Sequence, residues 1–222
     1  MRSGILAAGN FIIDNVKIID AYPEQDMLAT IEREVSGNGG GPYNVLKDLS
    51  AMGATFPLEA AGLIGADNNG AWIMRDCLGA GIDVSQLQKT NEAPTSYTDA
   101  MTVASTGRRT FFHQRGANAL LNETHINFSS TRAKLFHLGY LMLLDSMDSF
   151  VGGGRTRASL ALEKAKQAGL STSVDIVSTE NNCFREIAES ALPFTDYLII
   201  NEIEAGKIVG MELKNAPAVD VD

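Results

Sequence analysis

Beyond residue 133 the chain keeps one rhythm, and that rhythm narrows the fold more than any other feature. Apolar runs of strand length, "AKLFHLGYLMLL", "LSTSVDIV" and "TDYLIIN", alternate with helix-patterned stretches, "RTRASLALEKAKQAG", "NCFREIAESAL" and "EIEAGKIVG". Strand and helix repeated in this way predict a parallel sheet with helices on both faces. "GILAAG" (4–9) and "PLEAAGLIG" (57–65) read as further buried strands, and "ADNNGAWIMRDCLGAG" (66–81) as a capped helix with a glycine stop. Three stretches break the rhythm. Residues 11–20 and 29–37 are strands of mixed polarity, and 95–116 reads as a hairpin around "STGRR". These predict a second, small sheet built from separated segments. The expected fold class is therefore α/β: a three-layer α/β/α body (1–10, 38–94 and 117–222) with a small β-sheet lid (11–37 and 95–116).

Composition bounds the partners. The 222 residues are 45% hydrophobic, enough for a real core. Acidic residues number 27 against 18 basic ones, giving a net charge of -9, and no basic stripe offers a surface to nucleic acid. No run approaches the ~18 apolar residues of a membrane span. Asn10 and Asp14 interrupt the N-terminal apolar run, which reads as a strand instead of a signal peptide. Cys77 and Cys183 match no metal-site or disulfide spacing, which suits reduced thiols in a cytoplasmic protein.

The stretch "SGNGGGPYNVLKDLSAMG" (36–53) weakens the backbone and then opens a helix. Pro42 suits a first helical turn, Val45, Leu46, Leu49 and Met52 form an apolar stripe, and Gly53 is a stop. A Walker A loop is excluded, because no lysine stands where it must. A dinucleotide fingerprint is broken, because Pro42 occupies the third glycine position. Two readings remain open: an ordinary turn, or a loop lying against a small polar ligand, with Gly39, Gly40 and Gly41 bare and Asn44 offering an amide. In open α/β sheets ligands bind beyond the carboxyl ends of the strands. Asn10, Asp14, Asp145, Asp175, Asn201 and Glu204 all follow predicted strands. Each alone could be a helix cap, but together they mark one edge.

Four segments in order, "GNGGGPYNVLKDLSAMG", "AAGLIGADNNG", "RGANALL" and "INEIEAG", resemble the signatures of the ribokinase and PfkB family of carbohydrate kinases. The resemblance implies a ribokinase-like body and lid, and transfer of phosphate from ATP, with Mg²⁺, to a hydroxyl of a sugar or sugar-like substrate. It places Asp14, Gly40, Gly41, Asn44, Asn118 and Asp145 around the sugar, Asn201 near the nucleotide phosphates and Glu204 on magnesium. It also implies a homodimer joined through the lid. His113 and Arg115 lie where they could reach substrate, whereas Arg108 and Arg109 read as a solvated pair in the hairpin turn. Ile12 and Leu46 depart from the family pattern and point away from ribose. The second family signature, DTxGAGD, does not occur in the 222 residues. The resemblance therefore covers the N-terminal two-thirds of the family, with the aspartate that takes the proton expected beyond this chain. Two alternatives stay open: a nucleoside kinase, with Tyr97, Phe111 or Phe112 stacking a base, and a catalytically silent sugar-binding or regulatory protein.

Overall fold

A computed structural model describes residues 2–211. Along the chain, β1 (Ile5–Gly9) is followed by β2 (Ile12–Ile19), β3 (Ile31–Gly39), α1 (Gly41–Ala51), β4 (Leu58–Gly65), α2 (Asn68–Gly79) and β5 (Asp83–Thr90). The hairpin β6 (Tyr97–Val103) and β7 (Arg109–Gln114) precedes a 3-10 turn at Gly116–Leu120. Next come β8 (Leu135–Leu141), the one-turn α3 (Asp145–Asp148), a small hairpin of β9 (Phe150–Gly152) and β10 (Arg155–Thr156), and α4 (Arg157–Gln167). Then follow β11 (Ser171–Ile176), α5 (Phe184–Ala191), β12 (Tyr197–Ile199) and α6 (Glu202–Val209).

Six strands form one sheet in the order β12-β11-β8-β1-β4-β5, and all its pairings are parallel. Its central strands are covered on both faces, which is why they read as unbroken apolar runs. In β1, Ile5 and Ala7 enter the core shared with Tyr43 and Leu46 of α1 and Ile73 and Cys77 of α2. Leu6 and Ala8 enter the opposite core, with Leu162 of α4, Ile187 of α5 and Ile208 of α6. Truncating a side chain such as Leu46, 0% exposed, to alanine would cost roughly 2–5 kcal/mol.

Several details differ from the sequence reading, among them the unforeseen α3 and the hairpin β9–β10, which takes Arg155 and Thr156 from the expected helix. Strand β5 was not foreseen: its sequence "DVSQLQKT" is polar, with Leu87 its buried residue. An edge strand pairs with one neighbour and needs little apolar surface. Met52 does not belong to the apolar stripe of α1. It is the residue after the helix and is 82% exposed, while Leu46 carries the buried face.

The second sheet has the order β3-β2-β6-β7. Its central pair, β2 and β6, is parallel, and each outer strand is antiparallel to its neighbour. Register places Gly37, Asp14, Thr98 and His113 in one row across the sheet, and Val35, Val16, Ala100 and Phe111 in the next row on the same face. Val35 and Phe111 are more than half exposed there. The opposite face carries Lys17, which pairs with Asp99 and Glu34.

The junctions between the two sheets are pinned. Asp67 caps α2 through the Gly70 N–H (2.8 Å) and also accepts from the Thr95 N–H (2.8 Å) and hydroxyl (2.6 Å) at the entrance to β6. Burial pushes its pKa up, but the donors from Gly70 and Thr95 outweigh this and hold it below the ordinary carboxylate range. At the exit from β7, Ser96 Oγ donates to the Arg115 carbonyl and accepts from the Asn118 N–H (3.1 Å).

Candidate active site

The strands after β1 in the chain run first to one side of it (β4, β5) and later to the other (β8, β11, β12). The order therefore reverses between β1 and β8, and a crevice opens beyond their carboxyl ends. The two strand ends are tied: the Asn10 N–H donates to the Gly139 carbonyl (2.9 Å), and the Tyr140 N–H donates to Asn10 Oδ1 (2.8 Å). Asn10 is thus buried scaffold, 1% exposed. Chain leaves this point into β2 and returns from β3 into α1, so the second sheet stands over the crevice.

The glycine loop has three separate tenants. A β-carbon at Gly39 would overlap the carboxylate of Asp14. One at Gly40, where φ is 100°, would overlap the Asn10 carbonyl as β1 turns into the lid. One at Gly41 would press on the ring of Tyr140 at 3.1–3.3 Å. Gly40 and Gly41 are both buried. The chain's own packing thus explains the missing side chains, where the sequence suggested clearance for a ligand. No side chain caps α1. In its first turn Asn44 is exposed; its backbone N–H donates to the Gly40 carbonyl (2.9 Å), and its side-chain amide has no hydrogen-bond partner among the described residues.

Asp14 is the informative group. It is half-buried, and burial raises its pKa, yet no donor among the described residues reaches its carboxylate. A carboxylate in that state has unused hydrogen-bond capacity at a desolvation cost. Beside it stands Tyr140, at the end of β8. Its phenol is raised first by burial and then by the charges of Asp175, Asp14 and Glu204, which stand on three different elements. Asp175, at the end of β11, is pushed up to about 6 by burial and by the charge of Glu204.

Asn201 and Glu204 form a capping box at the start of α6. Glu204 is 4% exposed; its Oε1 accepts from Ser178 Oγ (2.7 Å) and Asn201 Nδ2 (3.0 Å), and its Oε2 from the Asn201 N–H (2.9 Å). Three donors so engage this carboxylate, which leaves it about one lone-pair site, enough to accept from a single water. Among the described residues no three His, Cys, Asp or Glu side chains cluster as a ready-made metal cage.

The remaining expected residues separate. Asp145 opens α3 and pairs with Arg115, Nη1 to Oδ1 at 2.6 Å, and both charges act on His113. Asn118 is 0% exposed; its Nδ2 donates to the Phe11 carbonyl (3.2 Å), which ties the base of the second sheet to the body, and its Oδ1 is buried without a partner among the described residues. Arg108 is exposed in the hairpin turn as expected, whereas Arg109, also exposed, opens β7 and lies over the Phe111 ring. Tyr140 was missed by the sequence reading. An aromatic inside "LFHLGYLMLL" looks like core, and the signal that singles it out is its position directly after Gly139 at the strand end.

A family model described as pfkB family carbohydrate kinase matches residues 7–221. No curated protein matches. Among solved structures, the chain is similar to ribokinase from Arabidopsis thaliana complexed with ribose and ATP (20% identity, TM-score 0.73, covering 97% of this chain and 65% of that one). It is also similar to fructokinase with bound ATP from Xylella fastidiosa (19%, 0.72, 95% and 64%). A nucleoside kinase from Methanocaldococcus jannaschii shares the fold as well (17%, 0.66, 96% and 66%). The chain spans less than two thirds of the length of each of these structures.

Proposed function

Because the chain belongs to the pfkB family of carbohydrate kinases, we propose that it is the sugar-holding part of an ATP-dependent phosphotransferase acting on a sugar hydroxyl. The observation that carries this is Asp14: a half-buried carboxylate without a donor among the described residues, facing the bare Gly39 beside the first turn of α1. Sugar hydroxyls are the donors such a group needs, and charge-assisted bonds of this kind are the strong ones. Asn44 would supply an amide from the opposite wall, and the backbone at Gly40 and Gly41 shapes the floor between them.

Asn201 and Glu204 would lie toward the nucleotide phosphates. Magnesium, brought with ATP, would meet Glu204 through water with Asp175 close by, and would neutralise charge developing on the transferred phosphoryl group. The group that takes the hydroxyl proton we assign to the part of the relatives that this chain does not span. Residues 11–37 and 95–116 act as a lid that closes over the sugar, hinged at the pinned junctions, and excludes water. The exposed row of Val35 and Phe111 suits a second copy of the lid, giving a homodimer in the cytoplasm.

The test is isothermal titration of pentoses and hexuloses into the wild type and Asp14→Asn, with ADP release measured in parallel. Binding of at least one sugar that Asp14→Asn abolishes supports the reading. No sugar bound, or equal binding by both proteins, refutes it. Light scattering that finds a monomer at high concentration would remove the lid-to-lid dimer.

A further inference from the structure

Next to the crevice lies a pocket of about 270 Å³ that the proposed sugar contacts leave unexplained. Arg115, Met142, Asp145, Asp148, Phe150 and Asn181 line most of it. Met142 is 1% exposed and holds a left-handed backbone at φ 79°, a conformation that costs a non-glycine residue energy. It turns the Met142 carbonyl toward Arg115 Nη1 (3.3 Å). Asp148 closes the base at 8% exposure; its Oδ2 accepts from the Leu144 N–H (3.1 Å), and its Oδ1 is buried without a partner among the described residues. Such an orphan acceptor is costly to bury until something donates to it. Burial pushes Asp148 up to about 7.

The chemistry narrows the occupant. An anion is disfavoured, because Asp145 already neutralises Arg115 and Asp148 adds a second carboxyl. A metal ion would have to sit against the Arg115 guanidinium. A hydroxyl suits both ends, since it donates to Asp148 Oδ1 and accepts from the guanidinium. Size narrows it further, because sites that enclose a whole small ligand run from ~300 to ~1,000 Å³. This pocket takes part of one. Arg115 and Asp145 line it, and the imidazole of His113, at the end of its row in the second sheet, feels both charges.

We propose that this pocket is a subsite for the terminal hydroxylated arm of the substrate, so that the sugar is a hexulose or longer and not a pentose. The proposal rests on the sugar reading of the crevice. The test titrates D-ribose, D-fructose and D-sedoheptulose into the wild type, Asp148→Asn and Asp14→Asn. The expected result is an affinity gain of about tenfold from ribose to the longer sugars, with Asp148→Asn collapsing the series to a single value. Asparagine is isosteric and keeps the acceptor for Leu144, but presents a donor or a neutral oxygen where the orphan oxygen stood. Arg115→Gln, on a different element, gives the same collapse and serves if Asp148→Asn does not fold. A flat series in the wild type, with binding still lost in Asp14→Asn, overturns the subsite and leaves the sugar site standing. No binding of any sugar by the wild type overturns both.

Discussion

Replacing Gly39 by alanine separates two explanations of the glycine loop. Gly39 lies outside the left-handed region, so alanine fits its backbone. The new β-carbon would instead overlap the Asp14 carboxylate and force it to swing away from the crevice. If Asp14 makes one or two charge-assisted hydrogen bonds to the sugar, at roughly 1.5–3 kcal/mol each, displacing it costs about 2–4 kcal/mol after partial relaxation. That is a loss of about 30- to 1,000-fold in affinity. The assay is titration calorimetry with D-fructose on Gly39→Ala, Asp14→Ala and the double variant, with melting temperatures as a control on folding. The cycle should be strongly non-additive, because once the carboxylate is gone the new methyl meets nothing that matters. Full additivity would refute the reasoning: it would mean that the sugar itself lies against Gly39.

Other expectations follow from groups away from that loop. Asp67→Ala should lower stability by roughly 2–4 kcal/mol, from the lost cap and the lost bonds to Thr95. Because the folded pKa of Asp67 is depressed, its contribution is full above about pH 4 and fades as pH falls through the lowered value, so denaturant midpoints at pH 7 and pH 3 should converge in the variant. Asp175 works the other way. Its folded pKa is raised to about 6, so its ionisation opposes folding above that pH, and Asp175→Asn should stabilise at pH 7.5 by on the order of 1 kcal/mol, discounted for partial exposure, and not at pH 4. His137 is buried neutral, pushed down to about 4 by burial, so it destabilises the fold increasingly as pH falls from 6.5 toward 4; thermal melts of His137→Asn should lose that slope. Of the two thiols, exposed Cys183 should react with a thiol reagent in the native state, and buried Cys77, raised to about 11, only on unfolding.

Much of the body is legible because its central strands are buried on both faces and its helices carry start and stop residues. Pro42, the Asp67 cap and Gly210, with φ 70°, sit at helix ends as their types suggest. What escapes is whatever depends on a partner distant in the chain. β5 is a strand because β4 lies beside it, and its own residues say little. The glycine loop is conspicuous, yet what crowds each glycine comes from other elements: Asp14 from β2, Asn10 from the end of β1, Tyr140 from β8. Asn118 stands in a segment that resembles a family motif, and only packing reveals that its Nδ2 is spent on the Phe11 carbonyl. The strand-end rule places Asp175 correctly, next to last in β11, since the carboxyl edge of a parallel sheet is set by chain direction alone, whereas Asp14 stands inside β2 of the second sheet.

The lid has a consequence for the order in which this chain acquires structure. Its central pairing joins residue 13 to residue 97, two segments that the body's own strands and helices separate. Closing so long a loop costs entropy that pairing repays only once the ends are near. β1, β4 and their helices supply that nearness, so the body forms first and the lid zips last. The same ordering holds in reverse. Amide protons of β2 and β6 should exchange by partial openings that leave β1 and β8 protected, and a weakened body will reveal itself first as a loosened lid.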